Sequence, residues 1–410
     1  MALSPAATMV TDSVTKAGTV KLSAFSTQKP LEKTSAATIK SLESAPLVNL
    51  ADQLNDAERR KYVKGKKLGS GQYADVFSAH LSTNPSTLYA IKKIKVIEDF
   101  KDGITYDSLR EIRFLQELRH PNIILLHTVY STKNQNLNLV LEYLPGGDLL
   151  QLIQDTGGTH YGMADIKAWM AMLCRGVYWC HSNFVLHRDI KPNNLLIAAS
   201  GEIKLADFGL ARSFADPAQP MTYNTITKWY RPPELYYQAA HYGGAVDVWS
   251  VGCVFAELVG RRVFLGAIPD TDVNMVGAIC NAVGTPTEDN WPGVSKLRGY
   301  IPVDAAEVKP VRGKEHWMQQ FRAVGELGVD LMMRMFALDP NARCGMKQAL
   351  QHPWWTAEPR PSRNEDLPKR GGGVRQMGED LKRRGGELPV KEEGRADKVA
   401  RKLDFGAMNG

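Results

Sequence analysis

The run His187-Arg188-Asp189-Ile190-Lys191-Pro192-Asn193-Asn194 is followed, thirteen residues after Asn194, by Asp207-Phe208-Gly209, and further on by Pro232-Pro233-Glu234. Transfer of a phosphoryl group passes through a loose transition state that spreads charge over three equatorial oxygens, so a protein serves it mainly by positioning groups and neutralising charge. The residue types here can do both. Asp189 can accept the proton of an attacking hydroxyl, Lys191 can sit on the transferred phosphate, and Asn194 with Asp207 offers oxygen ligands to Mg²⁺, a hard cation. Any one block alone would read as charged turn residues; three blocks in this order make that reading weak.

Two earlier segments extend the set. In Gly69-Ser70-Gly71-Gln72-Tyr73-Ala74-Asp75-Val76, small residues at the tip of a predicted hairpin let the backbone close over phosphates that a Cβ would push away. Taken alone this stretch would read first as an ordinary Gly-rich hairpin turn. Sixteen residues after Val76, Lys92 ends the strand-like Ala90-Ile91-Lys92, where its ammonium can reach the α- and β-phosphates of ATP if an acid orients it. Glu111, inside a helix-periodic segment, is the natural partner. Singly, Lys92 and Glu111 would be surface charges; their order and spacing favour the pair.

The elements that must hold these residues are visible in the apolar spacing. Residues 62–97 alternate apolar and polar side chains with glycine and proline punctuation, as an antiparallel sheet does. Leu109, Ile112, Leu115 and Leu118 recur at helical spacing, and 166–181 and 246–259 are long, apolar and helix-periodic. The expectation is an α+β chain without internal repeat, with a small β-rich lobe at 60–145 ahead of a larger helical lobe at 146–357. Residues 1–59, rich in Ser, Thr, Ala and Lys, and 358–410, with glycine runs between mixed charges, cannot bury enough apolar surface to offset chain entropy and are expected to be disordered. Within the second, only Val399, Leu403 and Phe405 hint at a short amphipathic element.

Composition narrows the class. The chain has 410 residues, 43% of them hydrophobic, which suffices for a sizeable core. It contains no run of eighteen apolar residues, and its start lacks the compact apolar stretch of a secretory signal, so neither membrane insertion nor secretion is expected. Cys174, Cys180, Cys253, Cys280 and Cys344 lack metal-type spacing and fall in apolar stretches, which reads as buried thiols in a reducing compartment. The net charge of +7 is interleaved with acids rather than gathered in a stripe, so direct nucleic-acid binding is not expected.

Over residues 62–355 the chain resembles the eukaryotic protein kinase family, which implies a bilobal fold and transfer of the ATP γ-phosphate to protein hydroxyls with Mg²⁺. Within that family it is similar to the cyclin-dependent kinases. Ser108-Leu109-Arg110-Glu111-Ile112 resembles their cyclin-contacting helix, Trp229-Tyr230-Arg231-Pro232-Pro233-Glu234 the end of their activation segment, and Gly284-Thr285-Pro286-Thr287 part of their insert. Lys191-Pro192-Asn193-Asn194-Leu195-Leu196, the run from Leu205 to Phe214 and Phe100-Lys101-Asp102-Gly103-Ile104 are similar to the CDK-activating branch, which is associated with general transcription factor H and phosphorylates the carboxy-terminal repeats of RNA polymerase II.

The resemblance implies roles for single residues. Lys92, Glu111, Asp189, Lys191 and Thr227 form the catalytic set, and Asn194 and Asp207 are the metal ligands. Leu68, Val76, Ala90 and Leu196 sandwich the adenine, Leu141 is the gatekeeper, Glu142 and Leu144 supply hinge backbone contacts, and Gly69, Ser70, Gly71, Gln72, Tyr73, Ala74 and Asp75 cover the phosphates. Thr222, seven residues before Trp229, is the expected activating phosphosite, with Arg110, Arg188 and Arg212 converging on its phosphate. Arg231 engages a backbone carbonyl of the activation segment, so the amide after the phosphosite has no acceptor, which favours Ser/Thr-Pro substrates because proline has no amide. Arg343 pairs Glu234 structurally. The implied partners are a cyclin, an assembly factor and subunits of transcription factor H, acting in the nucleus and also in the cytoplasm.

Some positions depart from the family pattern. Ala74 replaces the third loop glycine, Gln72 stands where cell-cycle relatives carry an inhibitory threonine, and Leu144-Pro145-Gly146-Gly147-Asp148 is one residue longer than the usual linker. Asp216-Pro217 offers a fixed charge at a place where the branch has a second phosphosite, and Lys228 stands where arginine or leucine is common. A cell-cycle cyclin-dependent kinase or another proline-directed kinase is the alternative, although the adjacent Thr222-Tyr223 does not make the Thr-x-Tyr pair of mitogen-activated kinases. A non-catalytic scaffold is the distant one, and it would have lost Lys92, Asp189, Asn194 or Asp207.

Overall fold

The computed structural model describes residues 50–71, 74–95, 106–132, 136–155, 160–216, 218–266 and 269–368. The expected loop residues Gln72 and Tyr73, the 100–104 match, Pro217 and the 399–405 element lie outside these residues. Helix α1 (Leu50–Arg60) leads into strands β1 (Tyr62–Ser70), β2 (Ala74–Leu81) and β3 (Asn84–Ile94), then helix α2 (Tyr106–Glu117) and strands β4 (Leu126–Ser131) and β5 (Leu137–Glu142). The strands form one antiparallel sheet in the order β1-β2-β3-β5-β4. Directly opposed residues share a face, so the pairs Val76 with Lys92 and Ala90 with Leu141 set these four side chains on the same side of the sheet.

The larger lobe is helical, as its long apolar periods require. Helices α3 (Leu149–Gln154) and α4 (Met163–Ser182) are followed by the short strands β6 (Val185–Leu186), β7 (Leu195–Ile197), β8 (Ile203–Leu205) and β9 (Arg212–Ser213). Then come α5 (Pro233–Tyr236), α6 (Ala245–Gly260), α7 (Asp272–Ala282), α8 (Lys314–Gln320), α9 (Gly325–Met335) and α10 (Met346–Leu350). Asp148 caps α3, its carboxylate accepting the Gln151 amide at 2.8 Å. Trp169 on α4 and Trp249 and Phe255 on α6 are fully buried in the main core, which spans both lobes and includes Phe114 and Leu115 of α2. All five cysteines are buried thiols, as predicted. Among the described residues, no helix is long and apolar enough to cross a membrane.

Parts of both segments expected to be disordered belong to the described fold. Residues 50–59 belong to α1, which buries none of its residues but is tied to β4 through Asn55. Asn55 accepts the Ser131 amide at 2.7 Å and donates to the Ser131 carbonyl at 3.0 Å, satisfying the end of edge strand β4 as a neighbouring strand would. At the other end, 358–368 pack on the helical lobe. The Ser362 amide donates to the Ala164 carbonyl at 3.0 Å, its hydroxyl donates to Asp165 at 2.6 Å, and Leu367 is 2% exposed. Leu367 sits on Gly201, whose φ of +91° suits glycine and where an added Cβ would lie 2.6 Å from the leucine Cβ. Polar residues with one or two anchors carry little periodic signal, which is why composition read both segments as unstructured.

If the 358–368 segment is part of the folded unit, Leu367→Ala costs about 2–5 kcal/mol, the range for truncating a buried leucine. The midpoint of thermal or urea unfolding reads this directly, and a loss below about 0.5 kcal/mol, the scale of surface substitutions, would show that the segment lies on the fold without stabilising it.

Candidate active site

The cleft between the lobes starts from a lysine that the sheet aims and a helix partners. Lys92 donates to Glu111 on α2 at 2.6 Å and to Asp207 at 2.9 Å. Burial opposes the ammonium charge, but the two carboxylates outweigh it and hold the Lys92 pKa above its ordinary value. Glu111 is 3% exposed, and its burial raises its pKa despite Lys92. At the half-exposed Asp207 burial also acts against charge, yet Lys92 prevails and the pKa is lowered, so this carboxylate is ionised. Asp207 has φ 65°, ψ 77°, a left-handed conformation that aspartate tolerates better than most residues. Phe208 behind it is fully buried, edge-on to the His187 ring at 4.7 Å.

Asp189 is held by three side-chain donors. Its Oδ1 accepts the Thr227 hydroxyl at 2.8 Å, and its Oδ2 accepts Lys191 Nζ and Asn194 Nδ2, each at 2.8 Å. Lys191 Nζ also donates to Thr227 Oγ1 at 3.0 Å, and Asn194 Nδ2 to the Asp189 carbonyl at 2.8 Å. Asn194 thus turns its amide nitrogen toward Asp189 and its Oδ1 the other way. The predicted catalytic residues therefore fall into two groups, Lys92-Glu111-Asp207 and Asp189-Lys191-Thr227-Asn194, with Asn194 linked by its carbonyl to the Ala206 amide next to Asp207 at 2.9 Å.

The loop carrying Asp189 is shaped by a residue that the sequence reading did not single out. Asp247 on α6, fully buried, accepts the backbone amides of His187 and Arg188 at 2.9 Å each and His181 Nε2 at 2.9 Å. Burial works against its charge, but these donors lower its pKa below the usual value. His187 in turn accepts the Asp189 amide on Nδ1 at 3.2 Å and donates from Nε2 to the Ala206 carbonyl at 3.1 Å. The available signal was a lone acid in the apolar run Val246-Asp247-Val248-Trp249.

Around the cleft, Val76, Ala90 and Leu141 share the face of the sheet that carries Lys92. Leu68 lies in β1 and Leu196 in β7, paired across the turn with Lys204. Glu142 and Leu144 follow in the hinge, where the Glu142 carboxylate accepts the Leu125 amide at 2.7 Å and pairs with Lys204 at 2.7 Å. The longer linker folds back onto β7: the Gly146 amide donates to the Ile197 carbonyl at 2.9 Å, and a Cβ at Gly146 would stand 2.7 Å from the Ile197 side chain. In the Gly69–Val76 loop, the Gly71 amide donates to the Ala74 carbonyl at 2.8 Å. Ser70 and Lys67 engage the Asp75 carboxylate at 2.6 and 2.9 Å, so Asp75, predicted among the phosphate-covering residues, braces the loop itself.

The activation segment carries the remaining candidates. Thr222 is exposed, and its carbonyl accepts the Tyr242 hydroxyl at 2.7 Å, which accepts Arg188 Nη1 at 3.0 Å. Tyr242 was not foreseen. Of the three arginines expected to converge on Thr222, Arg188 is tied to it through Tyr242, Arg110 pairs with Asp107 in its own helix at 2.6 Å, and Arg212 sits in β9. Arg231 is 6% exposed and donates through Nε and Nη2 to the Ile226 carbonyl at 3.3 and 3.1 Å, and Ile226 has φ 57°. Arg343 meets Glu234 through two bonds, 2.7 and 3.1 Å, both residues buried.

Residues 62–355 match the family model described as the protein kinase domain. The chain is 43% identical over 332 residues to serine/threonine-protein kinase crk1 of Schizosaccharomyces pombe, covering 80% of this chain and 96% of the relative. It is 43% identical over 304 residues to serine/threonine-protein kinase KIN28 of Saccharomyces cerevisiae, covering 74% and 95%. To cyclin-dependent kinase 7 of Xenopus laevis it is 39% identical over 349 residues, covering 84% and 96%. Among solved structures it is similar to a chain of the CAK complex of Chaetomium thermophilum bound to ATP-gamma-S, with TM-score 0.75 and 59% identity over 78% of this chain and 99% of that one.

Replacing Asp189 by asparagine removes the negative charge and turns one of the two oxygens that accept from Thr227, Lys191 and Asn194 into an amide donor, while Lys92 and the sheet face stay as they are. The expected result is a fall in turnover of about 10²-fold or more, the range for a positioned acid–base group, with ATP affinity by calorimetry unchanged within about threefold. A turnover within about tenfold of wild type would overturn the assignment of Asp189.

Proposed function

The chain belongs to the protein kinase family, as an ATP-dependent serine/threonine kinase of the cyclin-dependent type represented by cyclin-dependent kinase 7 and KIN28, and from that premise we propose a residue-by-residue mechanism and a substrate class. The observation that carries the reading is the Asp189 carboxylate, fixed by Thr227, Lys191 and Asn194. In this reading Asp189 orients the substrate hydroxyl and accepts its proton, while Lys191, already bridging Asp189 and Thr227, neutralises charge on the transferred phosphoryl group. Lys92, kept charged by Glu111 and Asp207, takes the α- and β-phosphates. The adenine lies between Leu68, Val76 and Ala90 on one side and Leu196 on the other, with Leu141 at the back and the Glu142–Leu144 backbone at the edge.

The donor set also fits Mg²⁺, which is held by one or two protein oxygens plus nucleotide phosphates and waters rather than by a full protein cage. Asp207, ionised and half exposed, and Asn194, with Oδ1 turned from Asp189, would hold it. When bound, magnesium draws charge from the β- and γ-phosphate oxygens.

Substrate choice is read from Arg231. Its two bonds to the Ile226 carbonyl occupy the acceptor that an amide after the phosphosite would use, and an amide left unpaired there costs the substrate its hydration. Proline lacks that amide. We therefore assign Ser/Thr-Pro sites as substrates, including polymerase repeats and the activation segments of other cyclin-dependent kinases. On α2, Tyr106 is 80% and Leu109 48% exposed, an apolar face suited to a cyclin. An assembly factor and subunits of transcription factor H complete the proposed complex, located in the nucleus and also in the cytoplasm.

Mass spectrometry of proteins co-purifying with the chain is expected to find a cyclin, and the complex is expected to lose about tenfold or more of kcat/KM when alanine replaces the proline of a Ser-Pro peptide, an effect within the 1–3 kcal/mol of an unpaired amide. Equal use of both peptides would remove the proline-directed reading.

A phosphate on Thr222 would add about −1.5 to −2 of charge beside the Tyr242–Arg188 link. Thr222→Ala is therefore expected to lower activity or complex assembly at least severalfold, with phosphate detectable on Thr222 in cells. Unchanged activity with and without saturating partners, and no phosphate there, would remove Thr222 as a switch.

A further inference from the structure

Discrimination for proline depends on Arg231 staying on the Ile226 carbonyl, so whatever orients that guanidinium governs specificity. Two side chains outside the catalytic set reach it. Asn224 Oδ1 accepts Nη2 at 3.3 Å, and the carboxylate of Asp272, in the first turn of α7, stands 4.0 Å from Nη1. The ring of Tyr236 flanks the guanidinium at 5.1 Å. Ile226 gives this arrangement a cost, since a β-branched residue at φ 57° is strained and its carbonyl direction persists only while its partner does. A guanidinium drawn off this carbonyl would leave an acceptor facing the substrate, and a residue with an amide could then pair with it.

Asp272 has a second neighbour. Lys228 Nζ lies 3.7 Å from the same carboxylate oxygen and donates to the Asp270 carbonyl at 2.7 Å. The backbone anchor keeps the lysine beside Asp272 rather than in its place against Arg231, and the carboxylate is shared between the two cations. This gives Lys228 a place in the fold: it ties the activation segment to the start of α7.

We propose that Asn224 and Asp272 are positioning residues that set the enzyme's specificity for proline, by holding Arg231 against the Ile226 carbonyl; the inference rests on the proline-directed reading above. Both residues act through Arg231, so their loss should relax selection without disabling phosphoryl transfer. Loss of Asn224 removes one hydrogen bond to Arg231, a change of about two- to tenfold; loss of the Asp272 charge removes an exposed ion-pair contact, a change of about two- to fivefold.

The test uses the full chain in its active complex and two peptides identical except for proline or alanine after the serine. The variants are Asn224→Ala, Asp272→Asn, Asp272→Glu and Lys228→Met. The proline-to-alanine ratio of kcat/KM is expected to fall about three- to tenfold in Asn224→Ala and about two- to fivefold in Asp272→Asn. The change should come mainly from a lower KM for the alanine peptide, with kcat on the proline peptide within about twofold. Asp272→Glu should restore the ratio, and Lys228→Met should leave it within about twofold, because Arg231 keeps its carboxylate. A ratio within about twofold of wild type in both Asn224→Ala and Asp272→Asn overturns the proposal. So does an equal loss on both peptides, which marks a structural role, or a fall in Lys228→Met as large as in Asp272→Asn, which places the effect in the loop tether. Absence of proline preference in the wild type itself overturns instead the reading on which the inference rests.

Discussion

A carboxylate buried at 0% exposure must be met by donors, because an unpaired charge in the interior costs far more than a fold's net stability can absorb. Asp247 is that carboxylate, and two of its donors are the consecutive backbone amides of His187 and Arg188. This demand shapes the loop. Arg188 adopts φ 63°, unusual for a residue other than glycine, and the loop turns so that His187 Nδ1 receives the Asp189 amide. The His187 ring then reaches the Ala206 carbonyl, one residue before Asp207. One buried charge on α6 thus sets the positions of the proposed base and, through one imidazole, of the proposed metal ligand.

The second constraint crosses between the lobes. Lys92 belongs to the sheet, Glu111 to α2 and Asp207 to the turn after β8, and the three meet within 2.9 Å. Burial works against charge on both: it raises the Glu111 pKa despite Lys92, whereas the two carboxylates outweigh it at Lys92 and hold the ammonium charged. A buried pair of this kind contributes little net stability, since desolvation offsets most of the attraction, whereas removing one partner leaves the other uncompensated. Its value lies in geometry. Any displacement of α2 that separates Glu111 from Lys92 releases the lysine to Asp207 alone, so the position of that helix and the position of the proposed phosphate-binding ammonium are one variable.

The sequence made the chemistry legible and the supports illegible, for a physical reason. His187 to Asn194, Asp207 and Lys92 are specified by short blocks whose residue types and order match the demands of phosphoryl transfer, and the sheet and helices by periods of two and 3.6. The register that sets Val76, Ala90, Lys92 and Leu141 on one face follows from those periods. Asp247, Tyr242 and Asn224 act through contacts whose partners lie 7 to 66 residues away, and the one local mark is the lone acid Asp247 in an apolar run. Helix α1 and the 358–368 segment escaped for the opposite reason. Their composition is that of a solvated chain, and among the contacts that tie them to the fold are the Asn55–Ser131 pairing at one end and Leu367 with Ser362 at the other.

The activation segment between Thr222 and Arg231 joins these constraints. Within ten residues its backbone meets Tyr242 at Thr222, its strained carbonyl meets Arg231 at Ile226, its hydroxyl meets Asp189 at Thr227, and its lysine meets the start of α7 at Lys228. The Arg188 that reaches Tyr242 is the residue whose amide is held by Asp247, so the proposed phosphosite and the proposed base hang from the same buried carboxylate. Thr222 stands only four residues from Ile226 and five from Thr227, so the proposed phosphosite and the two contacts lie on one short stretch of backbone. Activation and substrate selection are for this reason properties of the same loop. A chain that positions Thr227 on Asp189 has, by the same backbone, turned the Ile226 carbonyl toward Arg231, and the enzyme acquires its proposed preference for proline in the same conformation that assembles its base.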